Sequence, residues 1–276
     1  MKIYFVRNII NITSSKTDYE RKIGEFKMTK IYKKSEITFA ILWIVAYVVL
    51  SSLADQFSEN IGITKSITAV LHIAMSLILF FWIQKNKLGE KYGFCRLSIP
   101  AKRFLFYIPL IIIASTAFWG GIKLQYDILE SLFYFISMLC VGFLEEVIFR
   151  GLLFRAMEKD NLKSAIIVSA LTFGLGHIVN LFNGSGKDLI SSMIQIVFAV
   201  LVGFVLVIIF YHGKSIVPCI LFHSANNALK VFSANGMSNP LTERVINLVL
   251  IIAVLGGYLF YLVKEFGNGN SLDANN

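Results

Sequence analysis

SLFYFISMLCVGFLEEVIFRGLLFRAM, residues Ser131 to Met157, is a run of apolar residues long enough to cross a bilayer, broken by Glu145, Glu146 and Arg150 near its middle and by Arg155 near its end. About 20 predominantly apolar residues suffice to span the hydrocarbon core as a helix. A carboxylate at mid-bilayer costs about 2.5–3.5 kcal/mol on insertion scales, and ionisable groups so placed are functional by default. The stretch therefore predicts a transmembrane helix that carries chemistry.

Outward from it, the same pattern recurs. Apolar runs with few charges give eight candidate spans: Ile37 to Ala54, Ser66 to Ile83, Phe104 to Ile122, Ser131 to Met157, Ser164 to Phe182, Leu189 to Tyr211, Ile216 to Phe232 and Val245 to Val263. The seventh is short and polar in its second half, which a helix packed inside a bundle tolerates. Composition agrees, since 56% of the 276 residues are hydrophobic, 16% are charged and mean hydropathy is +0.69. Soluble domains average about 45–50% apolar and about 25% charged, so a soluble enzyme, a disordered chain and a secreted disulfide scaffold are all excluded. The expected fold is all-α, a polytopic membrane protein of about eight transmembrane helices. Residues 1–36 are expected to form a basic cytoplasmic N-terminal extension, 37–263 an eight-helix transmembrane domain with its motif-bearing core at 129–232, and 264–276 a flexible tail. Met1 and Met28 are both candidate starts.

The net charge of +9 sits at the ends of apolar runs, where it sets topology and meets anionic lipid rather than nucleic acid. Lys and Arg crowd the segment before the first span and the loop after the second. The loops around Asp55 and Glu59, Asp127, Asp188, and Glu243 with Arg244 are poorer in them. Both termini are thus expected on the cytoplasmic side of a cell membrane. Cys95, Cys140 and Cys219 are odd in number and widely spaced, and read as small buried hydrophobes rather than a disulfide or metal framework.

Inside the predicted spans only the fourth holds acids. Glu146 and Arg150, at i and i+4, share one helix stripe and can pair; Glu145 points about 100° away and is left free. Two neighbouring acids in a low dielectric cannot both ionise cheaply, so the free carboxylate is expected to hold its proton more tightly than in water unless donors reach it, as a general base requires. His177, in Phe173-Gly-Leu-Gly-His177, and His223, in His223-Ser-Ala-Asn-Asn227, add two more polar positions, each paired at i, i+4 with Phe173 or Asn227. Counting about 1.5 Å per residue from a turn near Lys159 to Leu162 places Glu145 and His177 at one depth, with His223 and Asn227 close by. One cluster is expected, opening toward the cytoplasmic half.

Gly142, Gly174 and Gly176 are expected to let helices touch closely, and Pro218 fits the first turn of its helix. His72 reads as a satisfied packing residue and His212 as a solvated loop residue. The phenylalanines carry no assigned role.

These three motifs, in this order and on successive spans, resemble the CAAX prenyl protease and bacteriocin-processing (Abi) family of intramembrane glutamic endopeptidases over roughly Leu129 to Phe232. The resemblance implies an eight-helix, metal-independent peptidase in which Glu145 activates water shared with His177. Glu146 and Arg150 would orient the site, and His223 with Asn227 would stabilise the oxyanion. It implies no cofactor, and a peptide or protein substrate at the membrane: CAAX-type tails, or bacteriocin, leader or signalling peptides. Two alternatives stay open, a zinc-dependent variant of the same site and a non-enzymatic immunity or scaffold protein.

Overall fold

The computed structural model describes residues 28–181, 188–234 and 240–267. Most of the expected N-terminal extension and of the C-terminal tail, and Phe182 at the end of the fifth predicted span, lie outside them. The described chain is all-α, with one isolated bridge between Ile122 and Ser233. Its helices are α1 (Glu36–Ile61), α2 (Ser66–Lys85), α3 (Ile108–Ser115), α4 (Ile128–Glu145, continuing through Glu146–Phe154 and Arg155–Met157), α5 (Leu162–Gly176), α6 (Leu189–Gly213), α7 (Val217–Ala228) and α8 (Pro240–Ile251, continuing to Gly267).

The helices begin where side chains can satisfy their unpaired N–H groups. Ser35, Asp127, Asn161 and Asp188 each accept from the backbone three residues on. Seven helical segments among the described residues are long and apolar enough to cross a membrane, and the chain is a multi-pass membrane protein. The outward face of α1, with Ile41, Val45, Val49 and Leu53 about half exposed, is apolar because lipid, not water, surrounds it.

Four expectations need correction. The seventh predicted span is a 12-residue α-helix with a single 3-10 turn after it. It lies inside the bundle and is too short to count among the seven. The third is irregular at both ends: Leu105, Phe106 and Tyr107 have left-handed backbones, and beyond Phe118 the chain turns to pair with residues 231–234 through Lys123, Gln125 and Ala234. The first span runs on to Ile61, so Asp55 and Glu59 stand in its last turns rather than in a loop. There Asp55 pairs with Lys65 at 2.8 Å. His212 is in the last turn of α6, its ring stacked on Phe266 at 4.2 Å, not in a solvated loop.

The connections gather at two ends of the bundle. At one end Glu36 pairs with Lys91 and Lys159, Ser98 bonds the Gly213 carbonyl, and Arg103 pairs with Glu265; both ends of the described chain lie here. At the other are the α1–α2 turn, the 119–127 segment, the N-terminus of α6 and the Asp188–Arg244 pair.

Helix α4 is the centre, touching α1, α2, α5, α6 and α7. A methyl group on Gly142 would overlap the Ser224 backbone, and one on Gly174 would press on the backbone of Val200. These two glycines permit the contacts of α4 with α7 and of α5 with α6. Gly176 has nothing within 4 Å of where a side chain would start; it opens space instead of closing it.

Candidate active site

At Glu146 the winding of α4 changes from α to π and stays so to Phe154. Such segments are rare and recur at functional sites. Within this segment Phe149 O accepts from Ser169 of α5 at 2.9 Å. On the facing side Ser224 of α7 donates to Leu139 O at 2.9 Å. The acids are thus presented from a helix clamped on both flanks by serine-to-carbonyl bonds.

Glu146 and Arg150 are fully buried and pair at 3.1 Å, the i, i+4 contact expected from their spacing. The guanidinium also lies over the Phe173 ring at 4.2 Å, a cation–π arrangement that gains strength when desolvated. Phe173 is a hub, edge-on to Phe149, His177 and His223.

Glu145 is not left free. Oε1 accepts from the Tyr47 hydroxyl of α1 at 2.7 Å. Oε2 is buried and takes no hydrogen bond from the described residues, with His223 Nε2 3.4 Å away. His223 Nδ1 lies 2.7 Å from Glu146 Oε1, so this imidazole bridges the adjacent carboxylates. Arg150 faces the buried Glu146 from the other side. His177 sits at the α5 terminus, its Nδ1 3.1 Å from the Phe173 carbonyl oxygen.

Two cavities, of about 590 and 480 Å³, share Phe173, His177, Gln195, Asn227 and Lys230. His223 lines the larger and Glu145 the smaller. All six residues singled out from the sequence are gathered here: Glu145, His223, His177 and Asn227 on cavity walls, Glu146 and Arg150 buried behind them.

The cavities open away from the end at which the Lys- and Arg-rich connections gather. Their rims are built by Thr64, Lys65 and Tyr126 in one case and Trp119, Ser191 and Ala234 in the other. Rise per residue placed the cluster at a depth but could not say which end the surrounding helices seal.

Among the described residues no three His, Cys, Asp or Glu side chains are grouped to hold a metal ion. Tyr47, Phe173, Ser169 and Ser224 were not assigned to the site from the sequence. For Tyr47 a signal existed, because Tyr47, Ser51 and Asp55 recur every four residues and form a polar stripe on an apolar helix.

Residues 127–229 match the family model described as Rce1-like, type II CAAX prenyl endopeptidase Rce1-like. This is a CAAX protease/Abi-family segment. It covers α4 to α7 and so includes every motif residue, while Tyr47 on α1 lies outside it. Among curated proteins none matches the chain. The CAAX protease family implies protease activity on a peptide substrate at the membrane, in keeping with a multi-pass bundle whose polar cluster is walled by apolar helices.

Proposed function

We propose that this CAAX-type intramembrane protease hydrolyses its peptide bond with a water activated by Glu145, without a metal. The observation that carries the reading is the asymmetry of that carboxylate. Oε1 is held by Tyr47, whereas Oε2 takes no hydrogen bond from the described residues in a carboxylate that lines the cavity. A general base must be within reach of its water and fixed in direction.

A water bound between Glu145 and His177 loses a proton to Glu145 as its oxygen attacks the carbonyl carbon of the substrate. The carbonyl electrons move onto oxygen, where Asn227 and His223, one helical turn apart on α7, donate to the developing charge. Glu145 then returns the proton to the departing amine nitrogen, and the C–N bond breaks as the carbonyl re-forms. Glu146 and Arg150 touch no reacting atom in this scheme. They fix the His223 ring and balance charge in a site where water cannot. The two cavities meeting at His177 and Asn227 leave room for chain on either side of the cleaved bond, as an endopeptidase needs.

The test is Glu145→Gln, assayed on membrane and secreted peptides of expressing cells and on purified protein in detergent. Loss of the products with an unchanged melting curve is expected. Full retention of cleavage overturns the role of Glu145, and a variant that protects or signals as well as the wild type would favour a non-enzymatic immunity or scaffold role.

A further inference from the structure

We infer that the substrate reaches Glu145 from the non-cytoplasmic face, so that the peptides cut are exported or membrane-tethered segments lying on that side rather than cytoplasmic tails. The inference rests on the peptidase reading above and adds to it a direction of entry.

Two observations carry it. The first is where the bundle is closed. Between Glu146 and the basic end lie Ile148, Phe154, Phe210 and Ile216 with no exposed surface, and Tyr92 with 1%. A side chain on Gly93 would strike Phe210 and the Ile216 backbone. No residue lining either cavity comes from 86–107, 158–163 or 212–216, the segments that form this end. Interiors packed to this degree hold few voids larger than a water molecule and give a peptide chain no way in.

The second is charge. The sealed end carries Lys85, Lys87, Arg96, Lys102 and Arg103 in one connection and Lys159 in another. The open end holds Asp55, Glu59, Asp127, Asp188 and Glu243 against four described cations, Lys65, Lys123, Lys230 and Arg244, and Lys65 and Arg244 are each paired with an acid. Lys and Arg in short loops mark the cytoplasmic side. The sealed end is therefore cytoplasmic, and the mouth faces the opposite side. The walls inside it, such as Ile113, Ala117, Phe198 and Ile246, are apolar; they suit a segment with apolar residues flanking the cleaved bond.

The test separates direction from activity. In a Cys140→Ala background, native Cys95 reports the sealed end, and Asn60→Cys, placed in the same background with Cys95→Ser, reports the open end. Each is treated with a membrane-impermeant maleimide in sealed vesicles of known sidedness. Expected is labelling of Asn60→Cys from the non-cytoplasmic side and of Cys95 only from the cytoplasmic side, with both labelled in detergent. The reverse pattern overturns the inference whatever the activity. Cleavage positions that depend on Glu145 are then mapped in peptides from wild-type and Glu145→Gln cells. Positions in exported segments support the inference, and positions confined to cytoplasmic tails overturn it. If no peptide depends on Glu145, even in detergent, the peptidase reading fails and the labelling alone decides which way the mouth faces.

Discussion

The Tyr47 hydroxyl donates to Glu145 Oε1 at 2.7 Å across 98 positions of sequence. One of the two oxygens of the proposed base is thereby fixed from a helix that lies outside the family segment. Hydrogen bonds to charged groups contribute about 1.5–3 kcal/mol. Tyr47→Phe keeps the ring, which packs against His72 at 5.8 Å, and removes only the donor. The expected result is a fall in kcat of about tenfold or more with KM nearly unchanged, since 1.4 kcal/mol is a factor of ten. An unchanged kcat would show that Glu145 is oriented without Tyr47.

Glu146 and Arg150 are buried together, and breaking such a pair from one side costs about 3–5 kcal/mol because the other charge is left unpaired. Glu146→Gln alone should therefore lower the melting temperature sharply, as should Arg150→Met. The double variant removes both charges and should recover much of the stability while remaining inactive, because the group facing His223 at 2.7 Å is no longer a carboxylate. Stabilities that simply add in the double variant would show that the pair is not coupled.

Phe173→Leu keeps most of the volume but loses the ring beneath Arg150 and beside both histidines. A desolvated cation–π contact is worth about 2 kcal/mol. Measured by thermal unfolding in detergent, the variant should lose stability on this scale. In an Arg150→Met background the same substitution should cost distinctly less, and an equal cost in both backgrounds would remove the cation–π account.

The membrane class, the order of the helices and the convergence of six residues were legible because charge inside an apolar run is so unfavourable that it stands out. The i, i+4 pairing of Glu146 with Arg150 followed from helix geometry alone, and His72 is the satisfied packing residue expected, bonded to Ser51 and Ser137. What stayed hidden depends on partners distant in sequence. Glu145 looked free because the residue that binds it is on α1. The π winding after Glu145 was hidden because the apolar spacing there reads as ordinary α-helix, and Ser169, which bonds Phe149 O within it, comes from another helix. The end at which the site opens is a property of packing around Phe154, Phe210 and Ile216, and no single stretch carries it.

Metal removal gives a further test of the proposed chemistry. Zinc sites need three or four ligands at about 2 Å in a tetrahedral arrangement. Here the carboxylates and His223 are engaged with one another: Glu145 with Tyr47, and Glu146 with both Arg150 and His223. Turnover by purified protein should be unaffected by a strong chelator. Loss of activity that zinc restores would replace the glutamate mechanism with a metal-dependent one.

Gly142 and Gly176 make opposite predictions for the same substitution. In a helix, Gly→Ala stabilises by up to about 1 kcal/mol through the backbone. At Gly142 the new methyl would overlap the Ser224 backbone of α7, and overpacking a well-filled contact costs about 1–3 kcal/mol. Gly142→Ala should thus be less stable than the wild type, and it should also lose activity because α7 carries His223 and Asn227. At Gly176 nothing lies within 4 Å, so Ala should leave stability equal or slightly higher. Gly176 lines the smaller cavity, and its methyl would narrow the space beside His177. The effect of Gly176→Ala should therefore appear in KM rather than in the melting temperature. Thermal unfolding in detergent and steady-state cleavage of one peptide, run on both variants, separate the two cases. If Gly142→Ala is as stable as the wild type, the close approach of α4 and α7 is not what holds His223 against Glu146.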